Sequence, residues 1–84
     1  MRYFVLWQRD AEAELAQLWM EAEDRSALRQ AADDMDRLLS ADPLGVGESR
    51  HGEYRIAFFP PLGFEFRVSE PDRRVVVVRV WRIR

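Results

Sequence analysis

The sequence predicts an α+β domain with the element order β-α-α-β-β-β: a helical hairpin packed on one face of a small, mainly antiparallel four-stranded sheet. Three observations carry this prediction. The last twelve residues, Arg73 to Arg84, include five valines within Val75 to Val80, a β-branched run that reads as a strand apolar on both faces and flanked on both edges. Between Asp10 and Leu39, apolar residues recur at helical spacing in two separate stripes. Between Arg50 and Ser69 the period changes to two, with prolines and glycines interrupting it.

Taken in order, Arg2 to Trp7 is a first strand, aromatic and aliphatic. Asp10 is placed to cap a helix, with Glu12 and Glu14 in the first turn where they complement the macrodipole. Leu15, Leu18, Trp19 and Ala22 form its apolar stripe. Asp24 or Ser26 caps a second helix, whose stripe is Leu28, Ala31, Ala32, Met35, Leu38 and Leu39. Pro43 ends it, because the residue before a proline is pushed out of helical conformation. A glycine-bearing loop leads to a strand from about Arg50 to Phe59, where Tyr54, Ile56 and Phe58 alternate with Glu53, Arg55 and Ala57. After Pro60-Pro61-Leu62-Gly63, the next strand alternates Phe64, Phe66 and Val68 with Glu65, Arg67 and Ser69. Pro71-Asp72 makes the final tight turn, with proline in its favoured second position. The short turns make the later strands antiparallel neighbours, and the first strand is left to supply the second neighbour of the valine strand.

The chain of 84 residues is read as one domain, 1–84, with 48% hydrophobic and 33% charged residues. It has no cysteine, which excludes disulfides, thiol nucleophiles and cysteine-metal sites. The N-terminal run is too short and too soon charged for a signal peptide, and no apolar stretch is long enough to span a membrane, so a cytoplasmic protein is expected. The net charge of −2 conceals two opposed halves. Residues 1–42 carry 10 acidic and 5 basic side chains, net −5; residues 43–84 carry 5 acidic and 8 basic, net +3. The acidic half is the helical one. All 13 basic residues are arginine, the better side chain for bidentate phosphate contact.

Strand parity brings the chemistry together. If Tyr54, Ile56 and Phe58 pack on the helices, then Arg55, Glu65 and Arg67 share the open sheet face. On the last strand, Val76, Val78 and Val80 fall on one face and Arg79 and Trp81 on the other, with Arg79 beside Arg55 and Arg67. Arg50, His51 and Glu48 stand at the rim. Cations gathered around a carboxylate make a reasonable phosphate site, able to stabilise and deprotonate in phosphodiester cleavage. The same residues can instead pair as cross-strand salt bridges on a wet sheet face. No set of Asp, Glu and His has metal-ligand spacing, and neither a metal nor any other cofactor is expected. Trp7, Trp19 and Trp81 read as core or interface residues.

The order and spacing of certain residues resemble the RelE/ParE superfamily of type II toxin–antitoxin toxins over essentially the whole chain. They are Val5-Leu6-Trp7, the Ala11 to Trp19 pattern, Leu38-Leu39 with Asp42-Pro43, Gly47 to Arg50, Tyr54-Arg55-Ile56 and Arg74 to Val78. The resemblance implies either a ribosome-dependent mRNA endoribonuclease that needs no metal, or a non-catalytic inhibitor of DNA gyrase. A degenerate toxin that only binds its antitoxin is a third outcome. On the ribonuclease reading Arg55, Arg67, Glu65 and Arg82 are the catalytic candidates, and Arg50, His51, Arg79 and Arg84 the RNA-binding ones. Arg55 falls where such toxins carry an RNA-contacting basic residue, but Ala57 stands where a second can follow. Leu62-Gly63 replaces an arginine often found there, with Arg67 the nearest substitute. Arg82 and Arg84 stand in for groups usually supplied beyond the last strand, and the C-terminal helix of the family is expected to be absent. Surface normally capped by that helix is expected to make an antitoxin or homodimer contact. The implied partners are a cognate antitoxin with the ribosome and mRNA, or with gyrase, and no membrane.

Overall fold

The computed structural model describes residues 2–83. Arg84 therefore lies outside the described residues. The elements run β1 (Phe4–Trp7), α1 (Arg9–Glu21), α2 (Arg25–Ala41), β2 (Glu48–His51), β3 (Tyr54–Phe59), β4 (Leu62–Ser69) and β5 (Arg74–Arg82). They form one five-stranded sheet in the order β1-β5-β4-β3-β2 with both helices on the same face. The valine strand indeed has neighbours on both edges: β1 joins it in parallel, Val5 beside Val75, and β4 joins it antiparallel.

Five strands replace the four expected. The segment read as one strand from Arg50 to Phe59 is a hairpin of β2 and β3, folded at Gly52-Glu53. Gly52 has φ of 56°, a left-handed conformation that glycine adopts without steric cost and that a two-residue hairpin turn requires. Pro60-Pro61 and the Glu70–Arg73 turn separate the other antiparallel pairs, and the Arg73 amide closes the latter on the Glu70 carbonyl at 3.1 Å.

Helix α1 starts at Arg9, two residues earlier than the Asp10 cap predicts; Gln8 holds the cap position, and Asp10 lies inside the first turn with Glu12, where both complement the macrodipole. Asp24 does occupy the cap position of α2, but its carboxylate makes no capping bond. It accepts instead from Arg82, Nη1 to Oδ1 at 3.0 Å and Nη2 to Oδ2 at 2.6 Å, tying the interhelical turn to the end of β5.

The core lies between the helices and one sheet face. Leu28, Ala31, Met35 and Leu39 of α2 and Ala11 of α1 meet Ala57, Leu62, Phe64, Phe66, Val68, Val75, Val77 and Val80, all buried. Phe64 is the hub, with the rings of Trp7 and Phe59 each 6.0 Å away and edge-on. On β5 the alternation breaks. Val77 opposes Phe66 and Arg79 opposes Glu65, so Val78 is an extra residue, a β-bulge. Val75, Val77 and Val80 therefore face the helices, rather than the Val76, Val78 and Val80 set that simple parity gives. The Val80 amide donates to Glu14 Oε1 on α1 at 2.9 Å.

The Asp24–Arg82 bridge has a pH signature. The Arg82 hydrogen bond holds the Asp24 carboxyl below its ordinary value of 3.8, and the same bond raises Arg82. Since the folded pKa is the lower one, the bridge's contribution is complete above the ordinary value and is lost as pH falls beneath it. Asp24→Asn should lower thermal stability slightly at neutral pH and flatten the acid limb of a Tm-versus-pH curve. An unchanged acid limb would show that the bridge adds nothing to folding.

Candidate functional site: the open sheet face

The sheet face away from the helices carries the candidate chemistry. Register fixes its membership: Glu48, Ile56 and Glu65 lie in one row, with Arg79 opposite Glu65 on β5. Tyr54 and Arg67 lie in the next row, and Phe58, Gly63 and Trp81 in the row on the other side. Phe58 is 58% exposed, and β1 adds Phe4 at 73% and Leu6 at 47% to the same face.

Trp81 is the centre of this surface. Its indole lies over Gly63, so closely that a Cβ there would stand 2.6 Å from Cε2. The Phe58 ring meets it edge-on, 6.3 Å between centroids, and the Arg79 guanidinium lies 5.7 Å from the ring centroid, a cation–π arrangement. A hollow beside it is lined by Glu48, Ser49, Arg50, Ile56 and Phe58. His51 leans on Tyr54 at 5.2 Å along the outer edge.

The predicted set is thus divided. Glu65, Arg67 and Arg79 share the open face, and Arg50, His51 and Glu48 border it. Arg55 does not join them, which corrects the expected parity. Ala57 and Phe59, not Tyr54, Ile56 and Phe58, point at the helices, and Arg55 lies on that side with Phe66 as its register partner. Its Nε donates to the Val46 carbonyl and its Nη2 to the Gly47 carbonyl, both at 3.1 Å, so it clamps the loop before β2. The reason is steric: the inward row of β4 already holds bulky Phe64 and Phe66, and the β3 residues paired with them are small Ala57 and the long, flexible Arg55, which leaves Tyr54, Ile56 and Phe58 to face outward. Arg82 also turns to the helix side, opposite Leu62 and bound to Asp24.

The expected carboxylate pairing differs as well. Glu65 and Arg79 are register partners, but among the described residues neither has an ion-pair partner within 4 Å; Arg67 reaches Glu53 at 3.6 Å. Glu65, Arg79 and Arg50 therefore present charged groups not engaged in close ion pairs, beside exposed aromatic rings. Chemically such a surface can hold a phosphate, stack a base or protein side chain, and offer a carboxylate as proton acceptor. Sequence reasoning missed Phe58, Gly63 and Trp81 as members of this site. A glycine opposite a tryptophan across a tight hairpin pair was the available signal.

Gly63→Ala should lift Trp81 from its seat while leaving the sheet intact. The expected cost is about 1–3 kcal/mol of stability, with a red shift of the Trp81 emission measured against a Trp81→Phe background. Unchanged emission and stability would mean that the indole does not rest on Gly63.

The sequence matches no family model and no curated protein. Solved structures do match. The toxin–antitoxin complex RelBE2 of Mycobacterium tuberculosis contains a chain that superposes with a TM-score of 0.82 at 21% identity, over 98% of this chain and 92% of that one. The chromosomal ParDE toxin–antitoxin system of P. aeruginosa gives 0.75 at 18%, over 99% and 98%. A YoeB/ParE toxin of Agrobacterium tumefaciens gives 0.71 at 19%, over 96% and 98%. Identities this low speak for architecture, and they agree with the helix pair and sheet order described above: the chain has the fold of the RelE/ParE superfamily of toxins.

Proposed function

We propose that this protein is the toxin of a type II toxin–antitoxin module, kept inactive by a cognate antitoxin, and that its open sheet face engages the target. The observation that carries this reading is the open face itself. On a fold found in toxins of such complexes, it displays Arg50 and Arg79, free of ion pairs among the described residues, beside Glu65 and the Phe58–Trp81 pair.

The finer reading is ribosome-dependent cleavage of mRNA. Arg79, Arg67 and Arg50 would bind the phosphates and stabilise the developing charge, and Glu65, Glu48 or His51 would accept and return the proton. Phe58 and Trp81 would hold a base or ribosomal surface by stacking. Arg55 and Arg82 would support the site from behind, through the loop before β2 and the end of β5, rather than touch substrate. Arg84, outside the described residues, would add a further RNA contact.

One specific observation favours a second reading, inhibition of DNA gyrase without catalysis. Two of the four expected catalytic side chains, Arg55 and Arg82, are engaged on the helix side, whereas Phe4, Leu6 and Phe58 are exposed apolar groups suited to a protein contact.

Induced expression in a bacterial host, followed by sequencing of mRNA ends, separates these readings. Ribonuclease activity predicts growth arrest with new in-frame cuts in translated messages, reduced on the order of 100-fold in an Arg67→Ala/Arg79→Ala variant. Arrest with DNA damage and intact messages would favour gyrase. Absence of arrest, with soluble protein confirmed, would sink the toxin reading.

A further inference from the structure

A hollow on the helix side of the sheet, at the end where two hairpin turns meet, belongs to no site described above. The β2–β3 turn is tied to β4 there, the Val68 amide donating to the Glu53 carbonyl at 3.1 Å. Leu44, from the single turn after α2, and Pro71, from the turn before β5, close its sides. About 260 Å³ of free space remains between them, slightly below the volume of sites for drug-sized ligands.

Its lining carries both signs of charge. Arg55 lies half-buried in the wall, and among the described residues no carboxylate comes within 4 Å of it. Its bonds to the Val46 and Gly47 carbonyls occupy Nε and one hydrogen of Nη2. The Nη1/Nη2 edge, a fork matched to a carboxylate, has no partner among the described residues. A guanidinium drawn partly out of water with only carbonyls to meet it is incompletely compensated. Glu53 and Glu70 stand exposed at the mouth of the same hollow. Glu53 reaches Arg67 only at 3.6 Å, and Glu70 has no ion-pair partner within 4 Å among the described residues. Between the two signs, Leu44, Val68 and Pro71 give an apolar wall.

We propose that this hollow binds a free α-amino acid with an aliphatic side chain. The α-carboxylate sits on the Nη1/Nη2 edge of Arg55, the α-ammonium faces Glu70 and Glu53, and the side chain rests on Leu44, Val68 and Pro71. Charge selects that ligand. A phosphate or nucleotide would meet two carboxylates, and a polyamine would meet the Arg55 cation. A ligand holding both charges a few ångströms apart satisfies both ends at once, and the apolar wall takes its side chain. Occupancy bears on the Val46-Gly47 loop, which Arg55 holds and which leads into Glu48 and Arg50 of β2. A consequence for target binding at the open face rests on the toxin reading above; the binding of the amino acid does not.

The test uses the full chain, isotopically labelled and titrated with L-leucine and two analogues. Leucinamide lacks the carboxylate, and 4-methylpentanoate lacks the ammonium. Leucine should move the amides of Gly52, Glu53, Val68 and Glu70 saturably, leave those of Glu65, Arg79 and Trp81 in place, and bind with a Kd on the order of 1 mM. Each analogue should bind at least about tenfold more weakly. The exposed-site variant Glu70→Gln, checked for a native melting curve, should weaken leucine about fivefold without weakening 4-methylpentanoate. Leu44→Ala, also at an exposed position, should weaken leucine about threefold. Equal affinity for the three compounds, inorganic phosphate binding the same amides more tightly than leucine, or no saturable shift would overturn the proposal. The readout needs no toxicity: a chain that binds leucine but arrests no growth overturns only the toxin reading, and one that arrests growth but ignores leucine overturns only this one.

Discussion

The feature on which the candidate site depends is the bond between the Val80 amide and Glu14, 66 residues apart in sequence. The bulge at Val78 interrupts the ladder between β4 and β5. An amide left unpaired there would cost roughly 1–3 kcal/mol in a partly buried setting. A carboxylate from α1 removes that cost and makes the bulge tenable. The geometric effect is larger than the energetic one. Had β5 continued in the register of Val75 and Val77, Arg79 and Trp81 would point at the helices; the extra residue turns both outward and returns Val80 to the core.

From that shift the rest of the open face follows. Trp81, turned outward, needs a flat floor, and Gly63 in the neighbouring strand supplies one because it has no side chain. Phe58 and Arg79 then close on the indole from its edge and face. One residue further on, the same alternation sends Arg82 to the helix side, where Asp24 at the interhelical turn meets it. A single inserted valine thus distributes the arginines of β5 between two faces with different tasks, one exposed and one fastening sheet to helices.

Much of this fold is legible in the sequence because its signals are local and physical. Of the stripe read on α2, Leu28, Ala31, Met35 and Leu39 are buried, while Ala32 is half-buried and Leu38 exposed, and the valine run reads correctly as a strand with two neighbours. Pro71 places the last turn. The hairpin at Gly52-Glu53 was equally local, and a lone glycine within an alternating stretch is its mark. The site was only partly legible, because which face of a strand is buried depends on neighbours. Tyr54, Ile56 and Phe58 look like a core set, but Ala57 fits under α2 beside Phe64 where a ring does not, so the larger groups face outward. The bulge leaves no trace in a run of valines, since every residue there is equally suited to either face. The Glu14 carboxylate that binds the Val80 amide just beyond it lies on another element, and only the tertiary contact reveals it.

The orientation of Trp81 is the most direct mark of this arrangement, and a nuclear Overhauser spectrum of the free protein reads it without any assumption about function. This arrangement predicts contacts from the indole protons to the Gly63 α-protons and the Phe58 ring, together with a slowly exchanging Val80 amide that loses protection in Glu14→Ala. Indole contacts to Ala11 or Leu18 of α1, with a fast-exchanging Val80 amide, would place β5 in unbroken register and contradict it.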